Sequence, residues 1–159
     1  MKTLTICALL VLGTVAGKAQ SIPSWKVADL QQYMKKATKP VIINVWATYC
    51  QPCVQEIPYF QSTLKAEADG KVDLLLLSLD LGTFYPDKIE AFAKTHHFYA
   101  PIVWLNETDA DVFGPTLDST WTGAMPCSIF YNPSTGYRKF YAGQLSPNQF
   151  KDALKSLLN

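Results

Sequence analysis

The sequence has almost no material for a metal site. Its 159 residues include four cysteines and two histidines, and the histidines, His96 and His97, are adjacent rather than spaced as a zinc-ligand pair. A structural zinc usually takes four ligands, often as two paired clusters. Here Cys7 lies in an apolar leader and Cys127 stands alone, so no metal is expected. Covalent haem attachment needs C-x-x-C-H, and Val54 follows Cys53. Charge of one sign is lacking too: 14 Lys+Arg against 13 Asp+Glu leave a formal net charge of +1. Such a balance draws the chain neither to nucleic acid nor to an anionic membrane surface. There is no low-complexity stretch, like-charge block or long repeat. The length fits one compact domain with a real core.

A hydrophobic run of spanning length is also missing. Leu4–Ala16 is almost wholly apolar but falls short of the ~20 residues a membrane helix needs. Lys2 precedes it, and Gly17-Lys18-Ala19 follows with small residues at the spacing a signal peptidase prefers. Residues 1–19 therefore read as a cleaved signal peptide and 20–159 as the domain, with an uncleaved anchor as the alternative. Cleavage takes Lys2 and Lys18 away and leaves 12 basic residues against 13 acidic, a net −1. Export, to the periplasm, implies a compartment where disulfides form readily.

What is present is concentrated at Trp46-Ala47-Thr48-Tyr49-Cys50-Gln51-Pro52-Cys53. Two cysteines two residues apart follow the apolar run Val41–Trp46, which reads as a buried parallel strand, and precede a helical stretch. Cys50 is thus expected at a helix N-terminus, where unpaired backbone N–H groups and the helix dipole favour a thiolate. C-x-x-C geometry lowers a cysteine pKa from about 8.5 to roughly 3.5–7.5. A purely structural disulfide is the bland reading, but a bridge closing so small a loop removes little unfolded-state entropy. The pair reads as a thiol–disulfide exchange site, with Cys50 attacking and Cys53, one turn on and more buried, resolving.

Along the rest of the chain, Ser24 is expected to cap a helix over 25–38, ended by Lys39-Pro40. A long helix over 51–68 contains Pro58, where a kink is expected, and stops at Asp69-Gly70. A buried strand over 72–79 precedes an amphipathic helix over 86–95 and a short strand over 101–105. One or two helical turns are expected over 108–113. Strands over 127–131 and 137–142 form an antiparallel pair, and Ser146-Pro147 opens the last helix. This order, βαβ then ββα around one mixed sheet, is an α/β architecture with helices on both faces. His96 and His97 read as loop residues without a role.

On Trp46 through Cys53, then Glu56-Ile57-Pro58, Gly123-Ala124-Met125-Pro126, and Gly143 before the last helix, the chain resembles the thioredoxin superfamily. It is most similar there to the exported TlpA-like and ResA-like thiol–disulfide oxidoreductases. The resemblance covers nearly all of 20–159. It implies a three-layer α/β/α sandwich with a central mixed sheet and a βα-type insert at 101–113. It also implies a cis proline at Pro126, bringing the Met125 backbone to Cys50, where a substrate chain pairs like an added strand. Trp46 and Tyr49 are expected to shape the substrate site; Trp121 either lines the groove or packs. Two departures stand out: Tyr49 occupies a position usually held by Trp, and Asn44 one where many thioredoxins carry a buried Asp. Asn cannot exchange a proton, so the candidate base is Glu56, matched in the ResA-like group, against the bland reading of a solvated helix glutamate.

The resemblance favours a reductant of extracytoplasmic disulfide proteins, with apo-cytochrome c among the substrates, recharged by a membrane electron-donor protein. No cofactor is implied, and a monomer is expected. The rivals are an oxidase using the same residues, a peptide-binding module with secondary redox activity, and a peroxidase. The last needs Thr or Ser three residues before the reactive cysteine, where Ala47 stands. Cys127 is read as a small buried hydrophobe, with a third redox thiol as the alternative.

Overall fold

Every residue of β2 (Val41–Trp46) is buried, as a strand covered on both faces must be. The computed structural model describes residues 22–159, so the expected leader and its cleavage site lie outside the described residues. β2 is flanked by β3 (Asp73–Ser78) and β5 (Cys127–Asn132) in a six-stranded sheet. Its order is β1-β4-β3-β2-β5-β6, with β1 (Ser24–Trp25), β4 (Ile102–Leu105) and β6 (Tyr137–Ala142) completing it. The contacts β1–β4, β4–β3 and β3–β2 are parallel; β2–β5 and β5–β6 are antiparallel. The helices are α1 (Val27–Lys36), α2 (Gln51–Glu67), α3 (Asp87–Thr95), α4 (Ala110–Leu117) and α5 (Pro147–Leu158).

Strand alternation divides the core in two. On one face Ile42, Trp46, Leu74, Leu76 and Phe130 meet Ile57 and Phe60 of α2, Ile89 of α3, and Phe150 and Leu154 of α5. Phe60 and Phe150 stack with centroids 3.9 Å apart, joining α2 to α5. On the other face Val41, Ile43, Val45, Leu75, Leu77 and Ile129 meet Leu30 of α1 and Phe113 and Leu117 of α4. This is the expected sandwich with helices on both faces. Among the described residues no helix is long and apolar enough to cross a membrane.

Two elements differ from expectation. Ser24 does not cap α1; it lies in β1, paired with Trp104, and α1 starts later with Lys26 at its N-cap. Two residues are too few for alternation to betray a strand, and β4 supplies the ladder that makes it one. The Lys26 N–H is instead satisfied by the Asp29 carboxylate at 2.8 Å. α4 runs to Leu117 through Gly114 and Pro115, past the expected end. Gly114 lets the Trp121 ring lie close: a Cβ there would meet its Cε3 at 3.0 Å. Trp121 also packs on Phe113 and donates its indole N–H to Ala124 O at 2.8 Å. It remains partly exposed and anchors the segment leading to Pro126.

Candidate active site

β2 ends at Trp46, and four residues later Cys50 is the N-cap of α2. The chain turns sharply between them, with the Cys50 N–H donating to Ala47 O at 3.0 Å. Pro52 lies in the first turn of α2, where its missing N–H removes a donor that the helix leaves unpaired in any case. Cys50 and Cys53 are joined in a disulfide. Cys50 keeps 8% of its surface in solvent and Cys53 none. Of the two, Cys50 is the less buried. Tyr49 beside it is 60% exposed.

Glu56 follows Cys53 by three residues, one turn along α2. It is fully buried, so the solvated-glutamate reading does not hold. Asn44 Nδ2 donates to Oε1 at 2.7 Å and the Leu145 N–H to Oε2 at 3.0 Å. Burial pushes the carboxyl up to about 7, against the lowering pull of those two bonds. A carboxyl so poised accepts or releases a proton near neutral pH. Asn44 Nδ2 also donates to Ser128 Oγ at 3.0 Å, while Asn44 Oδ1 has no partner among the described residues. The polar trio Asn44, Glu56 and Ser128 thus spans β2, α2 and β5.

Trp46, expected in the substrate site, is fully buried and packs its ring against Phe98 and Phe92, with centroids 5.4 and 6.2 Å away. With none of its surface in solvent, it is a core residue rather than a substrate contact. Its even position in β2 points it into the α2 face, the apolar demand of which wins. Met125 is half-buried and packs against both cores, and Pro126, reached through a cis peptide bond, is buried. The Pro126 carbonyl accepts the Gly143 N–H at 2.9 Å. A second cis bond joins Tyr85 to Pro86.

Cys127 pairs with Val45 in β5 and lies with Leu117 and Phe113, on the sheet face opposite the Cys50–Cys53 sulfurs. It is fully buried, and burial, then the Glu56 and Asp118 carboxylates, push its thiol up to about 12. A thiol so raised is inert as a nucleophile. Cys127→Ser is expected to leave disulfide exchange at the wild-type rate and to cost about 1–3 kcal/mol of stability, the cost of burying a hydroxyl. Urea unfolding and a turnover assay check this; a large loss of turnover with the fold intact would return Cys127 to the chemistry.

Sequence reasoning missed Asp80, which is 4% exposed and accepts from Thr48, two residues before Cys50. Its one signal was position: an acid directly after an apolar run, at the carboxyl end of a parallel strand, where sites on such sheets are built.

A model of the AhpC/TSA family matches residues 17–133. The chain is similar to "Thiol-disulfide oxidoreductase ResA" of Oceanobacillus iheyensis, at 27% identity over 75% of this chain and 57% of that protein. It thus spans little more than half of that relative. It is similar to "Sporulation thiol-disulfide oxidoreductase A" of Bacillus subtilis at 26% identity, covering 91% of this chain and 77% of the relative. Among solved structures, a thioredoxin-related protein from Neisseria meningitidis serogroup B superposes with a TM-score of 0.66 at 28% identity, over 79% of this chain and 90% of that one.

Proposed function

Because the chain belongs to the AhpC/TSA family, and its relatives are named thiol–disulfide oxidoreductases, we propose that it is one too, exchanging disulfides at Cys50–Cys53 as a reductant of extracytoplasmic proteins. The observation that carries the reading is the asymmetry of the pair: a less buried Cys50 at the α2 N-terminus, and a fully buried Cys53 with the buried carboxyl of Glu56 one turn behind it.

The cycle starts from the dithiol. The Cys50 thiolate attacks one sulfur of the substrate disulfide and forms a mixed disulfide; the other substrate sulfur leaves as a thiolate and takes a proton. Cys53 then gives its proton to Glu56 and attacks the Cys50 sulfur. The second substrate sulfur leaves as a thiolate and takes that proton back from Glu56, and the Cys50–Cys53 disulfide closes. Two electrons and two protons have passed to the substrate. A membrane protein carrying electrons outward returns them. In this reading Tyr49, next to Cys50, and the Met125 backbone before the cis Pro126 take the extended substrate chain. Disulfide proteins beyond the cytoplasm, apo-cytochrome c among them, are the substrate class.

Insulin reduction in the presence of dithiothreitol tests the reading. The wild-type domain accelerates insulin precipitation and Cys50→Ser does not. Equal rates with the two proteins would leave a peptide-binding module with no exchange chemistry.

A further inference from the structure

Asp80 is a buried carboxylate that the exchange chemistry above leaves without a part. It follows β3 and is 4% exposed, yet the ion pairs among the described residues do not include it. Its oxygens are filled by neutral donors. The Thr48 N–H lies 3.1 and 3.2 Å from Oδ1 and Oδ2, the Thr48 hydroxyl donates to Oδ1 at 2.6 Å, and the Ser78 hydroxyl donates to Oδ2 at 2.8 Å. The residue's own backbone is fixed as well: its N–H donates to Ser78 Oγ at 3.1 Å and its carbonyl accepts from Trp104 Nε1 at 2.7 Å. Asp80 is therefore held by β3 and β4 and reaches across to the turn that carries Cys50.

Every one of those donors would be satisfied by a neutral acceptor. Burying a charge without a counter-charge is costly, so the anion itself calls for a reason. We propose that Asp80 is a positioning residue for thiol exchange, which fixes the Ala47–Cys50 turn and whose buried negative charge opposes the Cys50 thiolate, making the dithiol a stronger reductant. The inference rests on the exchange reading above. Stabilising the reduced form of such a pair makes it a stronger oxidant; destabilising its thiolate does the reverse. The Tyr49 phenol, next to Cys50, is raised by burial first and by Asp80 second. The other groups that bear on the pair are the positive N-terminus of α2 and Glu56, tied to Asn44 and Leu145 on the inner side.

The test is the equilibrium of the Cys50–Cys53 couple with dithiothreitol buffers, read by trapping free thiols. Asp80→Asn keeps an acceptor for Thr48 and removes the charge. It is expected to shift the equilibrium about tenfold toward the dithiol, about 30 mV for a two-electron couple, and to speed Cys50 alkylation at neutral pH. Thr48→Val keeps the charge, loses the hydroxyl bond and is expected to stay at the wild-type equilibrium. An unshifted Asp80→Asn of intact fold overturns the proposal. So does a Thr48→Val shift of equal size, which would trace the effect to a loosened turn. Asp80→Ser is the second variant, with the same expected shift; failure of both Asp80 variants to fold would assign the residue to stability alone and overturn the proposal too. A wild-type protein with no couple in the buffer range is a separate failure, that of the exchange reading itself.

Discussion

Cys53→Ser is expected to abolish turnover and to leave Cys50 covalently joined to its substrates. Cys50 is the less buried of the two, with 8% of its surface exposed against none for Cys53. Its place as N-cap of α2 puts it where backbone N–H groups are unpaired and a thiolate is favoured. Without Cys53 the first attack proceeds and the mixed disulfide has no internal thiol to break it. Cys127 cannot substitute, since it lies across the sheet with its thiol pushed up to about 12. Non-reducing electrophoresis of the variant after exposure to a disulfide protein shows the adduct as a band lost on reduction. Cys50→Ser should give no such band. Equal trapping by both variants would mean that the order of attack is not the one the burial imposes.

Glu56→Gln is expected to slow the second step, closure of Cys50–Cys53 with substrate release, and to spare the first. A positioned base is worth about 10²–10⁴-fold where proton transfer limits the step. Gln preserves the shape, and the unpartnered Asn44 Oδ1 can turn toward its amide N–H, so the fold should survive. Stopped-flow fluorescence with a single substrate turnover separates the two steps. The same variant carries a stability signature. Glu56 is raised in the fold from 4.5 to about 7, so the folded state holds its proton where the unfolded chain has lost it. Stability from this group is therefore full below about pH 4.5 and falls as pH rises toward 7. In Glu56→Gln that fall disappears. Unchanged kinetics and an unchanged pH slope would return Glu56 to a purely structural place.

Much of this site was legible because it is local. Cys50, Cys53 and Glu56 lie on one helix, and the strand–turn–helix around them is written in eleven consecutive residues from Trp46. What was not legible depends on contacts far apart in sequence. Thr48 and Asp80 are 32 residues apart, and Asn44 and Ser128 84 apart. Nothing local says that these side chains meet. Cys127 shows the same limit on a strand: alternation gives relative faces, and only the Val45↔Cys127 pairing fixes which face it takes. Trp46 was misplaced for a related reason. A tryptophan beside a reactive motif reads as a substrate contact until the packing of Phe92 and Phe98 against it is seen. β1 escaped notice because its two residues are a strand only by virtue of β4.

The reduction potential of the Cys50–Cys53 couple tests the proposed reductant role most directly. Equilibration of the purified domain with glutathione and dithiothreitol buffers, followed by quantitative thiol trapping, gives the value. A reductant is expected close to thioredoxin, at about −270 mV. A value near about −120 mV, typical of a strong periplasmic oxidant, would contradict it and make the same two cysteines the site of an oxidase.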